Sequence, residues 1–346
     1  MTIPVLICDD SAIARKQMAR ILPADWNADV TFAKNGAEGL DALTAGKGEV
    51  MFLDLNMPVM DGYEVLTEVN RQNLSSLIIV VSGDIQPEAH TRVKKLGALA
   101  FIKKPVNPDQ VKQILFDYGV YRPSDDTPTQ NETTPEDVGR TSAEAMVSQA
   151  GPSNFLDCIQ EISNVAMGQA ADLLARLLNV FVKLPIPKVN FMEVGELEMA
   201  LAFAEQKETF SAVCQGFIGS GVAGEALVIF SDSNFKDMAS LLKYRGEIDR
   251  TAELELLMDI ASILVGACTN GIAQQLDISF SLGHPVVIGQ HVKVANLVKS
   301  GSNRWKKTLA IEIAYKIENY DITCDLLLLL TEDSVGKLKK KLSFLM

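Results

Sequence analysis

The run "VMFLDLNMPVMDG", residues 50–62, is the most informative stretch for the fold of the first third of this chain. Its first four residues are all apolar, which is typical of a strand buried on both faces, as in a parallel sheet covered by helices. Asp54 follows the apolar residues directly, and the Asn, Pro, Asp and Gly after it are turn formers. The run therefore predicts a buried strand that presents a carboxylate at its carboxyl end.

Four more apolar runs accompany this one, with helical patterns such as "SAIARKQMARIL" (11–22) between them. They are "PVLIC" (4–8), "DVTFA" (29–33), "LIIVVS" (77–82) and "LAFIK" (99–103). Alternating strands and helices predict an α/β domain over residues 1–121, with an open parallel sheet covered on both faces. In such sheets ligands bind outside the carboxyl ends of the strands.

Polar residues stand at these strand ends: Asp9 and Asp10, then Asp54, then Ser82, then Lys104. Three carboxylates in one place repel one another unless a cation joins them, and hard oxygen ligands suit Mg2+. A hydroxyl and a lysine would complete a site that holds a phosphoryl group on an aspartate. Each residue alone also has a structural interpretation as a helix cap, a turn or a strand end. Their occurrence together at successive strand ends favours a site.

These motifs resemble the receiver domain of two-component response regulators, which has the CheY-like, flavodoxin-like (βα)5 fold. The resemblance implies that Asp54 is the phosphoacceptor and that an upstream histidine kinase supplies the phosphoryl group. It also implies a Mg2+ ion bound by Asp10 and Asp54, with Asp9 acting alongside them. The backbone carbonyl of Asn56 would be a further ligand to the metal.

The same resemblance assigns roles on the last two strands. Ser82 would contact the phosphoryl group as the switch hydroxyl, and Lys104 would pair with it. Phe101 matches the aromatic switch position of the family. We therefore expect a complete phosphorylation site in residues 1–121.

The bulk composition restricts the partners. The 346 residues carry a formal net charge of −12, which disfavours nucleic acid, since its binding depends on basic residues. The longest apolar run, "LLLLL" at 326–330, is too short to span a bilayer. The chain starts without a signal-peptide pattern, and its five cysteines are dispersed, as expected for reduced thiols in the cytoplasm. We expect a cytoplasmic protein with no nucleic-acid or membrane partner.

Residues 122–154 differ in composition from both flanks. They contain no aromatic residue and are rich in Pro, Thr, Ser, Asp and Glu. Such a segment cannot bury enough apolar surface to offset the entropy of ordering it. It predicts a flexible acidic linker between residues 1–121 and residues 155–346.

The second half of the chain contains an internal sequence repeat with an offset of 98 residues. The segment "DCIQEISNVAMGQA" (157–170) aligns with "ELLMDIASILVGAC" (255–268). Further on the shift is 100, where "GEALVIFSDSNFKDMASLL" (224–242) aligns with "CDLLLLLTEDSVGKLKKKL" (324–342). Each copy predicts a helix, a connection, a strand pair and a closing helix, which together form an α+β domain with a pseudo-two-fold internal repeat. The glycines of "GSGVAG" (219–224) fit a dinucleotide-binding pattern, but a strand pattern follows them, so a hairpin turn is predicted there.

The first copy carries an acid and an amide one helical turn apart, Glu161 and Asn164. With their spacing from Asp157 and Pro187, they resemble the CheC family of CheY-phosphate phosphatases, which includes CheX and FliY. The resemblance implies that Asn164 orients the attacking water and that Glu161 pairs with the lysine of a phosphorylated receiver. In the second copy Asp259 and Ser262 replace them, which implies a degenerate second site.

The sequence therefore predicts a response regulator whose attached phosphatase hydrolyses phospho-aspartate on a CheY-like receiver. A linker of this length spans roughly 30 Å, so the substrate could be the chain's own receiver or a separate one. The alternative is a docking module without catalysis, controlled by phosphorylation of Asp54, for a chemotaxis or flagellar-switch partner.

Overall fold

The computed structural model describes residues 2–123, 154–193, 209–292, 307–320 and 322–343. The chain forms two compact units, and the main boundary between them lies between residues 157 and 158. The linker predicted for residues 122–154 lies outside the described residues, except for Arg122, Pro123 and Asn154.

The first unit alternates strands and helices, as its sequence predicts. The elements are β1 (Ile3–Cys8), α1 (Ala12–Ile21), β2 (Ala28–Ala33), α2 (Gly36–Thr44), β3 (Val50–Leu53), α3 (Gly62–Gln72), β4 (Leu77–Ser82), α4 (Pro87–Lys95), β5 (Ala100–Lys103) and α5 (Pro108–Asp117). All strand pairs are parallel, in the order β2-β1-β3-β4-β5. This is the flavodoxin-like order, so the predicted α/β fold of this part is confirmed.

Two apolar clusters cover the two faces of this sheet. Val5 and Ile7 of β1 pack in one cluster with residues of α1 and α5. Leu6 and Cys8 of the same strand point the other way and pack with residues of α2, α3 and α4. Because successive strand residues face opposite sides, a strand covered on both faces must be apolar throughout, which explains the continuous runs in the sequence.

The second unit consists of long helices and an antiparallel sheet. Its elements are α6 (Phe155–Leu178), β6 (Val182–Lys183), β7 (Lys188–Glu193), β8 (Phe210–Gly219), β9 (Val222–Ser231), α7 (Phe235–Leu241), α8 (Arg250–Gln275), β10 (Ser281–Leu282), β11 (Val286–Val292), β12 (Lys307–Ile317), β13 (Thr323–Leu330) and α9 (Glu332–Leu342). The sheet order is β10-β8-β9-β13-β12-β6, with β11 also on β8 and β7 also on β12.

The hairpin of β8 and β9 closes at Ser220 and Gly221, whose φ angles are 51° and 77°. Two positive φ angles in a two-residue loop match the twist of the flanking strands. The turn lies within "GSGVAG", so the predicted hairpin is confirmed and the dinucleotide pattern is coincidental.

Helices α6, α8 and α9 converge on one face of this sheet, where Ile162, Ile272 and Leu338 line a narrow apolar cavity with Ile311 and Leu328 of the sheet. Of the described helices, α8 alone is long and apolar enough to cross a membrane, by length and composition only. Of its most apolar window, 56% is buried, as is usual for the core helix of a globular domain.

The same succession of elements occurs twice in the second unit: a long helix, two short strands, a hairpin and a closing helix. The short strands pair across the two halves. β6 and β7 of the first half lie on β12 of the second, while β10 and β11 of the second half lie on β8 of the first. The sequence predicts the helices and hairpins but not these four short strands.

Candidate functional site

Three of the predicted site residues meet at Lys104, just after β5. Its Nζ lies 2.8 Å from Oδ2 of Asp9 and 3.1 Å from Oδ1 of Asp54. All three residues are buried, with exposed fractions of 4–5%, where charges interact more strongly than in water. The backbone N–H groups of Ser11 and Asn56 each donate to the second oxygen of a carboxylate, at 2.8 Å in both cases. Both carboxylates are therefore held in one orientation.

Backbone hydrogen bonds beyond the strands place these residues side by side. The N–H of Asp54 donates to the carbonyl of Cys8, and the N–H of Lys104 donates to the carbonyl of Ser82, at 2.9 Å each. The parallel pairing thus continues past the last strand residue, and it aligns the end of β1 with that of β3 and the end of β4 with that of β5. Ser82 is fully buried there.

Arg15 on α1 is a residue of this site that the sequence motifs do not include. Its side chain is 4% exposed, and Nη1 donates to the carbonyl oxygens of Asp9 at 2.6 Å and Asp10 at 3.0 Å. A signal existed: Arg15 lies on the same stripe of α1 as the buried Ala12 and Met18, three residues from each. A charge on a buried helix face requires a partner.

The third carboxylate is placed differently. Asp10 is half-buried, and in this conformation no three acidic, His or Cys side chains of the described residues surround a common metal position. The ammonium of Lys104 lies between Asp9 and Asp54 instead. The donor chemistry still fits Mg2+, because carboxylate and carbonyl oxygens are its usual protein ligands. Three carboxylates with two cations also leave one negative charge for a metal to compensate.

Burial next to this acidic group affects a neighbouring thiol. Desolvation, reinforced by the charges of Asp9 and Asp54, raises the pKa of Cys8 far above its ordinary value, although Arg15 opposes the shift. Cys8 is therefore a neutral, packed thiol.

The loop after Asp54 is tightly built. Asp61 caps α3 through a capping box with Glu64, and burial is the main cause that raises the pKa of its carboxyl. A methyl group at Gly62 would lie 2.8 Å from Cα of Leu55 and nearer still to the carbonyl oxygen of Asp54. Val59, at the tip, has a φ of 70° and is 84% exposed.

Phe101, at the sequence-implied switch position on β5, packs edge-on against His90 of α4. The ring centroids are 5.4 Å apart with an interplanar angle of 66°. The aromatic side chain thus packs against the adjacent helix.

The acid–amide pair of α6 is buried. Glu161 is 7% exposed and Asn164 is 6% exposed, one turn apart. Oδ1 of Asn164 accepts no hydrogen bond from the residues that the structure describes. Since buried polar atoms nearly always have a partner, an amide oxygen left without one requires a specific explanation.

The aligned pair on α8 has the opposite surroundings. Asp259 and Ser262 are both exposed, and the hydroxyl of Ser262 donates to the carbonyl of Met258 in its own helix at 2.7 Å. A methyl group added at Gly266, on the same face, would meet no atom of another described segment within 4 Å. The two helices share a spacing of residues but differ in burial and in hydrogen bonding.

Comparison with known protein families agrees with the fold and the site geometry of the first unit. Residues 5–116 match the family model of the response regulator receiver domain. This part of the chain is a receiver domain.

Similarity to curated relatives extends over about as many residues as the match to the receiver family model. The chain is 38% identical over 109 residues to a protein-glutamate methylesterase/protein-glutamine glutaminase from Moorella thermoacetica, which covers 31% of this chain and 26% of that protein. The same kind of protein from Halalkalibacterium halodurans is 36% identical over 122 residues, or 33% of this chain and 35% of the relative. The chain thus spans about a third or less of the relatives it matches.

Among solved structures, Thermotoga maritima FliY covers 57% of this chain and 99% of its own, at 15% identity and a TM-score of 0.42. A structure of the CheX-CheY-BeF3-Mg+2 complex from Borrelia burgdorferi matches over 33% of this chain and 87% of that chain, at 26% identity and a TM-score of 0.31.

Proposed function

We propose that the chain is a response regulator that is phosphorylated on Asp54 and carries a phosphatase for the phospho-aspartate of a CheY-like receiver. The receiver would comprise residues 1–121, followed by a linker over 122–154 and a phosphatase domain over 155–346. One observation carries the catalytic part: the buried carboxamide of Asn164, whose Oδ1 has no hydrogen-bond partner in the described chain.

Phosphorylation would use the geometry around Asp54. Its Oδ2 is held by the N–H of Asn56, while Oδ1 faces the ammonium of Lys104, which would neutralise charge on an incoming phosphoryl group. Asp9, Asp10, Asp54 and the carbonyl of Asn56 would hold Mg2+. When bound, the ion would neutralise the charge of the transferring phosphoryl group. Ser82 would then hydrogen-bond the phosphoryl oxygens.

Hydrolysis of a phospho-aspartate needs a group that fixes the attacking water, because the receiver's own lysine and metal already stabilise the transferring charge. A carboxamide can both donate and accept hydrogen bonds without acting as a nucleophile. A glutamine has the analogous role in small GTPases. Asn164 would orient the water, and Glu161 would pair with the receiver lysine that matches Lys104.

The second half of this domain would be a degenerate copy. The recurring order of elements supports a pseudo-two-fold internal repeat. The hydroxyl of Ser262 donates its one hydrogen to its own helix backbone, so it could accept a hydrogen bond from a water molecule but could not also donate one, as a carboxamide can. Asp259 is also one methylene shorter than glutamate. We expect little or no activity at this second site.

The test is loss of phosphate from a separately phosphorylated CheY-like receiver, measured with the full-length parent, Asn164→Ala and Ser262→Ala. Removing a positioning group of this kind costs about 100-fold or more in rate, so Asn164→Ala should lose the catalysed reaction but still bind the receiver. Ser262→Ala is the matched control and should keep the parental rate. Hydrolysis by Asn164→Ala at the parental rate would contradict the mechanism.

A docking module without catalysis is the second candidate, and an exposed apolar pair on α6 favours it. Leu173 and Leu177 are 50% and 46% exposed, and they lie one turn apart. Under this alternative, Leu173→Asp should abolish binding of the chemotaxis or flagellar-switch partner, and the parent protein should not accelerate the loss of phosphate from a phosphorylated receiver. Acceleration that depends on Asn164 would exclude it.

A further inference from the structure

The guanidinium of Arg15 is the feature of the acidic site for which the proposed chemistry has no use. It lies beneath the turn that joins β1 to α1, with 4% exposure. A single nitrogen, Nη1, donates to two consecutive carbonyl oxygens, those of Asp9 and Asp10. Hydrogen bonds from a charged donor are shorter and stronger than neutral ones, and the contact of 2.6 Å with Asp9 is of this kind.

These two carbonyls belong to the two peptide planes on either side of the Cα of Asp10. Each plane is rigid because of the partial double bond of the amide. A donor that holds both planes thereby fixes the backbone dihedrals of Asp10 and the direction in which its Cβ leaves the chain. The amide of Ser11, bonded to Oδ1 of Asp9, and the Ser11 cap of Ala14 hold the rest of the turn.

Electrostatics alone gives Arg15 the wrong sign for a magnesium site. A buried positive charge next to a cation site repels the cation, and it is costly to desolvate. Its presence there must offer some other advantage. Such an advantage is the satisfaction of two carbonyl groups that would otherwise lose their hydrogen-bond partner on folding.

We propose that Arg15 is a positioning residue for divalent-cation binding, which aims the carboxylate of Asp10 by holding both of its peptide planes. The inference rests on the proposed magnesium site. Under this proposal, a side chain of α1 increases the affinity for the metal without contacting it. Outer groups that orient metal ligands typically contribute about 10–100-fold to affinity.

The experiment is calorimetric titration of the full chain with MgCl2, comparing the parent with Arg15→Met and Arg15→Gln. Neither variant reaches the two carbonyls, so both should weaken Mg2+ binding by about tenfold or more. Arg20→Met is the matched control, because Arg20 is an exposed arginine on the same helix, and it should keep the parental affinity. Urea unfolding of each variant separates loss of affinity from loss of stability.

Whether Mg2+ affinity falls or rises in these variants distinguishes a positioning role of Arg15 from a purely electrostatic effect of its charge. Folded Arg15→Met or Arg15→Gln that binds Mg2+ as tightly as the parent, or more tightly, overturns the proposal, since removal of a repelling charge alone predicts tighter binding. If both neutral variants unfold, Arg15→Lys decides. It keeps the charge but is one atom too short to hold both carbonyls in place, so weaker binding supports the proposal and parental affinity overturns it. A parent that binds no Mg2+ would instead refute the proposed metal site itself.

Discussion

Replacement of Gly62 by alanine should disturb the phosphorylation site through the backbone. Gly62 begins α3, eight residues after Asp54, and its Cα packs against the chain that leaves β3. An added methyl group would lie 2.8 Å from Cα of Leu55 and closer still to the carbonyl oxygen of Asp54. Both contacts are with backbone atoms, so neither can be relieved by the rotation of a side chain.

The size of the effect follows from these distances. Ordinary contact begins at 3.4 Å, so relief of the contact with Leu55 requires the two segments to separate by 0.6 Å (3.4 − 2.8), and relief of the closer contact with Asp54 requires more. Overpacking of this kind costs about 1–3 kcal/mol. The better helix propensity of alanine offsets this cost by less than about 1 kcal/mol. Misplacement of a reacting group by about 1 Å can cost 100-fold in rate, so a shift somewhat smaller than this should slow phosphorylation of Asp54 by about tenfold.

Two measurements on Gly62→Ala test this reasoning. Urea unfolding can be followed by tryptophan fluorescence, since Trp26 is packed in the core of the same unit. The rate of phosphorylation by a small acyl phosphate gives the effect on the site. Gly266→Ala is the control for the rate, because a methyl group added there meets no atom of another described segment within 4 Å and the residue lies in the second unit, so phosphorylation of Asp54 should keep the parental rate. If Gly62→Ala matched the parent in both stability and rate, the close approach to Asp54 would be refuted.

Two other predictions concern strain and pH. Val59→Asn should raise the free energy of unfolding by about 1 kcal/mol, because asparagine tolerates the positive φ that is unfavourable for a β-branched residue; an unchanged urea midpoint would contradict this. His291 lies 3.0 Å from Asp232 and 2.9 Å from Glu253, and although burial opposes its charge, these carboxylates raise its pKa above 6.5. Its stabilising contribution should therefore be complete below pH 6.5 and be lost as the pH rises through the higher pKa of the folded state. The loss should not exceed about 1 kcal/mol, since half-exposed pairs are screened. Thermal unfolding at several pH values should show this decrease in the parent and not in His291→Gln.

The first unit could be predicted from sequence almost residue by residue. The five apolar runs correspond to β1–β5 within one residue at each end, as with "LIIVVS" and Leu77–Ser82. The reason is physical: a strand covered on both faces is constrained at every position, and turn formers such as those after Asp54 mark where it ends. Charge placement was less predictable. The spacing of Arg15 from Ala12 and Met18 places it on the apolar stripe of α1, but its carbonyl partners become apparent only when the β1–α1 turn is folded.

In the second unit, local sequence patterns predicted fewer of the observed elements than in the first unit. The hairpin at Ser220 and Gly221 was evident because turn chemistry is local. The two-residue strands β6 and β10 are defined only by partners far along the chain, at Lys316 and Ile218, so no window of sequence contains their signal. Asn164 and Ser262 likewise have equal spacing in two aligned helices, yet one is buried and the other exposed. Helical period fixes which residues share a face but not which face is covered.

The exchange of short strands between the two halves of the second unit has a consequence for how that unit unfolds. Neither half can complete the hydrogen bonding of its own hairpin: β8 needs β10 and β11, and β12 needs β6 and β7. A fragment that ends after α7 would leave β8 as an unpaired edge open to association with other chains. The halves should therefore melt in one cooperative transition rather than in two. Proteolytic cleavage in the second half would then also unfold the first half, including α6 with Asn164, although α6 itself is not cleaved.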